Sequence, residues 1–300
     1  MKLGSGLTLT ASVAKHSKAL WAPVLLALSL AIWRHPLGDT FRLARAHEEY
    51  THILLVLPLT FALLYIGWRE FSGPRQGSIG LGVSFFVAAL VIEACAKWRL
   101  DVVSPDVRLS LSMLALVTFW IGSLICCFGR RFVRVSLLAL FLLVFIVPLP
   151  KFALSATVRF LQNWSAFSAQ IMFRAIGTPV TQDGVMLSIP GLDLEVAREC
   201  SSIRSSMMLI LTTIVLAQLF LRSGWRKALL VLAAIPLSFL KNGFRIFVLA
   251  EIGTRFYPGV FDGRLHHQGG IVFLSVAVGV VVLLLWGLRR SESSKQQNHG

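Results

Sequence analysis

Apolar residues gather along the chain into eight stretches, at residues 19–33, 53–68, 79–96, 109–128, 135–148, 203–221, 228–252 and 271–288, each bounded by charged or turn residues. A helix that crosses a bilayer needs about 20 predominantly apolar residues. The pattern therefore predicts an all-α polytopic integral membrane protein, with about eight transmembrane helices in a single membrane domain over residues 1–300. Tryptophans such as Trp21, Trp33, Trp68, Trp98, Trp225 and Trp286 lie near the ends of stretches, where an amphipathic ring favours the headgroup zone.

Between the fifth and sixth stretches, residues 149–202 form the longest segment without a span. Over 152–176, Phe160, Trp164, Phe167 and Ile171 alternate with Arg159, Gln162, Asn163, Gln170 and Arg174, a mixture that predicts an interfacial helix. Beyond it, Asp183-Gly184 is a turn signal and Leu192-Asp193-Leu194-Glu195-Val196 alternates as a half-exposed strand does. A small hairpin before the sixth span is expected there.

Composition agrees with lipid as the solvent. The 300 residues are 56% hydrophobic and 14% charged, with mean hydropathy +0.74. A soluble domain is usually about 45–50% apolar and about 25% charged, so an ordinary cytosolic enzyme and a disordered chain are both excluded. The net charge of +15 reads as loop anchoring and not as nucleic-acid binding, since no basic stripe with interleaved aromatics lies outside the apolar stretches. Compact clusters at Arg130–Arg134 and Arg222–Lys227 belong on the cytoplasmic side by the positive-inside rule. Both chain ends, including the 289–300 tail, then lie in the cytoplasm, and 149–202 lies outside it. The start Met1-Lys2-Leu3 leads into no short apolar region with a small-residue cleavage site, so no cleaved leader is expected.

Three places break the hydrophobic pattern. A polar run, Arg198-Glu199-Cys200-Ser201-Ser202-Ile203-Arg204-Ser205-Ser206, opens the sixth span. A cysteine at a helix N-terminus near a cation has its thiolate favoured, and Arg204 shares its helical face; a buried cysteine beside an interfacial anchor is the alternative. Cys95, Cys126 and Cys127 have only that second context, and the absence of CxxC disfavours a thiol oxidoreductase. Inside the seventh span stands Lys241-Asn242-Gly243-Phe244-Arg245. An arginine there costs about 2.5–3.5 kcal/mol on insertion scales and must face protein or a wet cavity, while Asn242, three residues away, shares its face. The third place, Arg264-Leu265-His266-His267-Gln268-Gly269-Gly270, precedes the eighth span. A histidine exchanges protons near neutral pH; adjacent histidines point in different directions on a helix, which makes a two-ligand metal site poor. Glu93, an intramembrane carboxylate, requires a partner, with Arg204 and Arg245 as candidates.

In the orientation above, Cys200, Arg245 and His266 fall at one membrane face. Nucleophile, proton carrier and cation together fit acyl transfer. The same residues carry a family likeness. Glu199-Cys200-Ser201-Ser202-Ile203-Arg204-Ser205 resembles the E-C-S-G-I-R-S motif of the exosortase/archaeosortase family, Asn242-Gly243-Phe244-Arg245 its N-x-x-R, and His266-His267-Gln268-Gly269-Gly270-Ile271-Val272-Phe273 its H-x-x-x-G-W-x-x-F. Ser202 stands where the family usually has glycine and Ile271 where it has tryptophan.

The resemblance implies an intramembrane cysteine peptidase/transpeptidase that cleaves C-terminal sorting signals of PEP-CTERM type through a thioester. Its partners would be the bilayer and the sorting-signal helix of exported proteins, with no cofactor and no metal. By position it makes Cys200 the nucleophile, Arg245 the cation and His266 the histidine, with His267 as fallback and Arg204 and Asn242 in support. It also implies a prokaryotic inner or plasma membrane, with the active site facing away from the cytoplasm. The competing reading is a transporter or scaffold of a polysaccharide-export system, in which Arg245 binds an anionic substrate and Cys200 is incidental.

Overall fold

The computed structural model describes residues 21–70, 78–98, 104–196, 203–255 and 270–297. They divide into two compact units, residues 1–151 and 152–300.

In the first unit the helices are α1 (Trp21–Ile32), α2 (Arg34–Ala46), α3 (Ile53–Glu70), α4 (Ile79–Lys97), α5 (Pro105–Val135) and α6 (Leu137–Val144). Helices α4 and α5 pack at the distance that glycine allows. A Cβ on Gly122 would stand 2.9 Å from Phe85 Cβ and 3.2 Å from the Gly82 carbonyl, and a Cβ on Gly82 would collide with Cys126 Sγ. Small residues serve this purpose in lipid, where no hydrophobic drive holds helices together and close van der Waals approach must do so. Helix α5 breaks at Gly129, whose φ of 87° no β-carbon residue adopts comfortably. The Arg130–Arg134 cluster thereby leaves the line of the preceding span, and Arg130, Arg131 and Arg134 are exposed.

Several polar side chains in this unit are paired across helices. Trp33 Nε1 donates to Glu93 Oε2 at 3.0 Å, and Lys97 Nζ lies 3.0 Å from Glu93 Oε1. Glu93 thus has its cation one turn away on its own helix. Trp120 Nε1 donates to Ser29 Oγ, and the Tyr50 and Ser110 hydroxyls donate to the carbonyls of Leu149 and Pro148.

The second unit contains α7 (Lys151–Ala175), a three-stranded antiparallel meander of β1 (Thr181–Asp183), β2 (Met186–Ile189) and β3 (Leu192–Glu195), then α8 (Ile203–Phe220), α9 (Gly224–Arg255) and α10 (Gly270–Gln297). Asp183 pairs with Met186 across a turn that Gly184 enters with φ 57°, and Gly191, with φ 83°, turns β2 into β3. The sheet is too small to stand alone. It is held by an apolar cluster in which Val180, Leu187, Ile189 and Val196 meet Ala166, Ala169 and Phe173 of α7 and Ile246 and Ala250 of α9.

Helix α7 turns its polar side inward. Gln162, Ser165, Ser168 and Gln170 are at most 8% exposed, whereas Phe152, Phe160, Trp164, Phe167 and Ile171 are exposed. The buried stripe lies along α9, with ring contacts Trp164–Phe239 at 5.4 Å and Phe173–Phe247 at 5.0 Å on either side of Gly243. A Cβ on Gly243 would stand 2.5 Å from Ser168 Cβ and 2.8 Å from the Ser165 carbonyl. Averaged around the helix, α7 is polar; face by face, Gln162, Ser165, Ser168 and Gln170 meet protein, whereas Phe152, Phe167 and Ile171 are exposed.

Six helices are long and apolar enough to span a bilayer among the described residues: α3 to α5 and α8 to α10. The count of eight is not reached there. The stretch at 19–33 gives only the shorter α1. The stretch at 135–148 gives the eight-residue α6, after which i→i+3 bonds from Phe145, Ile146 and Val147 tighten the chain before Pro148 and Pro150.

Candidate functional site

Helix α9 presents one face to protein, marked by Leu230, Ala234, Ser238, Lys241, Asn242, Arg245 and Leu249, all at most 7% exposed. The spacing of three and four residues puts these positions on one side. From Gly224 to Arg245 the helix climbs about 32 Å at 1.5 Å per residue, roughly the thickness of the hydrocarbon core. Arg245 thus lies about one hydrocarbon thickness along α9 from the Arg222–Lys227 cluster.

Two neighbouring helices run antiparallel to α9. For α8, Lys227 Nζ donates to Gln218 Oε1 at 2.9 Å near one end, and Lys241 Nζ to Ser205 Oγ near the other. For α10, Glu292 accepts from Arg226 and from the backbone N–H groups of Arg222 and Ser223 at the first end. At the second end the Phe244 and Phe273 rings stand 5.8 Å apart, and a Cβ on Gly270 would lie 3.8 Å from Arg245 Nη1. The heads of α8 and α10 therefore come together at the level of the Arg245 guanidinium.

These heads are where the sequence places its other candidates. Cys200 lies three residues before Ile203, the first residue of α8, and His266 lies four before Gly270, the first of α10. Cys200, His266 and His267 fall outside the described residues. Among those described, Asn242 is 1% exposed and Arg245 7%, while Arg204 is exposed at the first turn of α8.

The profile of the family described as Transmembrane exosortase matches residues 33–286. The chain belongs to the transmembrane exosortase family. No curated protein and no solved structure matches it. For this exosortase the matched region takes in every helix from α2 to α9 and most of α10.

Two site-supporting features escaped the sequence reading. One is the bond from Lys241 to Ser205, which ties α9 to the head of α8. The other is on α7: Gln162 Nε2 donates to the Val196 carbonyl at 2.7 Å. The signal for the second was present as a small and polar stripe at Gln162, Ser165, Ser168 and Ala169, the spacing of a helix-packing face.

The exosortase also holds an apolar cavity of about 330 Å³ in its first unit, bordered by Leu26, Leu57, Phe61 and Trp120, with Thr60 and Ser123 as its hydroxyl groups. No thiol, carboxylate, imidazole or amine side chain borders it among the described residues.

Proposed function

We propose that this exosortase is an intramembrane cysteine peptidase/transpeptidase that cleaves C-terminal sorting signals of PEP-CTERM type on exported proteins. The observation that carries the reading is the position of the Arg245 guanidinium beside Gly270 and level with the head of α8. Three residues of chain reach at most about 11 Å, so Cys200 is tethered within that distance of Ile203. The four residues from His266 to Gly270 tether the histidine to the other helix head in the same way.

In the proposed reaction Cys200 Sγ gives its proton to His266 and attacks the scissile carbonyl carbon. Arg245 stabilises the oxyanion that forms; its guanidinium stays charged and presents fixed donors, and low-dielectric surroundings strengthen their effect. The C–N bond then breaks, the departing amine takes the proton from His266, and the amino-terminal product remains on sulfur as a thioester. A second nucleophile, water or an amine, loses its proton to His266, attacks the thioester and releases the thiolate, which recovers a proton. Asn242 and Lys241 act through the surroundings of Arg245 and α8 and do not enter the bond changes.

The basic cluster at Arg222–Lys227 supports a cytoplasmic position for that end of α8, α9 and α10; the site then faces the opposite compartment of a bacterial or archaeal plasma membrane. A substrate whose signal contains an apolar helix approaches through the lipid, with its scissile bond emerging at the border where Arg245 lies. The test is processing of a sorting-signal protein in membranes containing wild-type or Cys200→Ala enzyme at equal abundance. Loss of processing in the variant is expected; unchanged processing refutes the reading and favours a transporter or scaffold.

A further inference from the structure

The chain on either side of Cys200 returns to one turn of α7. Before it, Val196 is 1% exposed, its carbonyl accepts from Gln162 Nε2 at 2.7 Å and its N–H donates to the Val185 carbonyl at 2.9 Å. After it, Ile203 is buried against Val158 and Leu161. Six residues, Ala197 to Ser202, separate these seats, and the seats occupy consecutive positions of one helix, Leu161 and Gln162. The two are chemically unlike. The Ile203 seat is apolar contact, which tolerates sliding; the Gln162 seat is a directional bond that ends at a single carbonyl.

Gln162 is itself only 7% exposed. The apolar cluster around Val196 includes Ala166, Ala169, Val180 and Leu187, none of which has a side-chain donor to replace the amide. A buried carbonyl stripped of its donor recovers its hydrogen bond by moving toward water, and here that movement is transmitted to the chain leading into Cys200.

The geometry points to Gln162 as a positioning residue for Cys200: its amide fixes the chain entering the nucleophile segment, on the helix that also seats the chain leaving it. This rests on Cys200 being the nucleophile. Gln162 touches neither substrate nor reacting atoms; it acts through the Val196 carbonyl, four residues before Cys200 in a chain that leads into α8, and a helix N-terminus favours a nearby thiolate.

The test uses full-length enzyme in lipid nanodiscs. Alkylation of Cys200 by iodoacetamide is followed from pH 5 to pH 9 by peptide mass mapping, and processing rates are measured alongside. Gln162→Met keeps the length and loses the donor; Gln162→Glu keeps the shape and donates only when protonated; Ser165→Ala controls for a small change on the same face. Both Gln162 variants are expected to move the alkylation midpoint up toward the free-thiol value of about 8.5, and Gln162→Met to lower kcat about ten- to hundredfold with a smaller change in KM. Ser165→Ala is expected to follow wild type. Alkylation profiles of Gln162→Met and Gln162→Glu that superimpose on wild type overturn the assignment. Because alkylation needs no turnover, it decides the role of Gln162 even where Cys200→Ala enzyme still processes substrate, an outcome that refutes the acyl-transfer reading alone.

Discussion

Replacing Gly243 by alanine adds one methyl group at the closest approach of α7 and α9. That Cβ would stand 2.5 Å from Ser168 Cβ, 2.8 Å from the Ser165 carbonyl oxygen and 3.0 Å from the Ala169 nitrogen. Carbon atoms rest at about 3.5–4.0 Å, so the helices must separate by roughly 1 Å. Two of the three atoms are backbone, and no rotamer change relieves them. Overpacking of this kind costs about 1–3 kcal/mol. The separation also stretches the Trp164–Phe239 and Phe173–Phe247 ring contacts, each worth about 0.5–1.5 kcal/mol when intact; losing about half of each brings the total to roughly 2–4 kcal/mol. Set against this is a gain of up to about 1 kcal/mol from the better helix propensity of alanine. Gly279→Ala on α10 isolates that gain, because a Cβ there meets nothing within 4 Å. Unfolding of the purified protein in detergent, followed by denaturant titration, is expected to show Gly243→Ala destabilised by about 1–3 kcal/mol and Gly279→Ala unchanged or more stable. Equal stability of the two variants would refute the packing of α7 on α9.

At the opposite end of the second unit, Glu292→Ala leaves Arg226 buried without its carboxylate and two N–H groups of the α8–α9 turn without their acceptor; a loss of about 2–4 kcal/mol in the same titration is expected. Lys241→Met and Ser205→Ala should each lower processing, while the double variant should be little worse than the worse single one, since each removes the same bond; additive losses would show that the bond is not shared. Arg245→Lys keeps the charge but loses the planar fork, and processing should fall about 10²–10³-fold, as on loss of an oxyanion donor. An Arg245→Lys enzyme with wild-type kcat would show that one point charge suffices.

How far the sequence foretold the fold depended on whether a property could be read as an average. Hydropathy is such a property, and it made an all-helical membrane protein legible. The number of spans was less legible because helix length is decided locally: the run at 135–148, followed by Pro150, yields the eight-residue α6. Helix α7 was hard to read for another reason. Its polar residues lower the average, but they are the surface that meets α9, and only partners in space reveal which face is lined by protein. Glu93 shows the same limit: the need for a cation was legible, whereas its bond from Trp33 depends on a fold that joins residues 60 apart in sequence.

The candidate site divides along similar lines. Arg245 and Asn242 stand out in sequence because charge and amide are costly inside a span. Gly243, between them, is silent until Ser165 and Ser168 are seen against it. Gln162 is an unremarkable glutamine in a mixed segment until its amide is found on the Val196 carbonyl.

Acyl transfer through Cys200 requires a covalent intermediate on that residue, and its capture is the direct test. Enzyme quenched in acid during processing of a sorting-signal protein should contain a fraction heavier by the mass of the amino-terminal product, with the adduct on Cys200 and released by neutral hydroxylamine as a thioester is. Processing that continues with no adduct on Cys200, or with the adduct on another residue, would contradict the account.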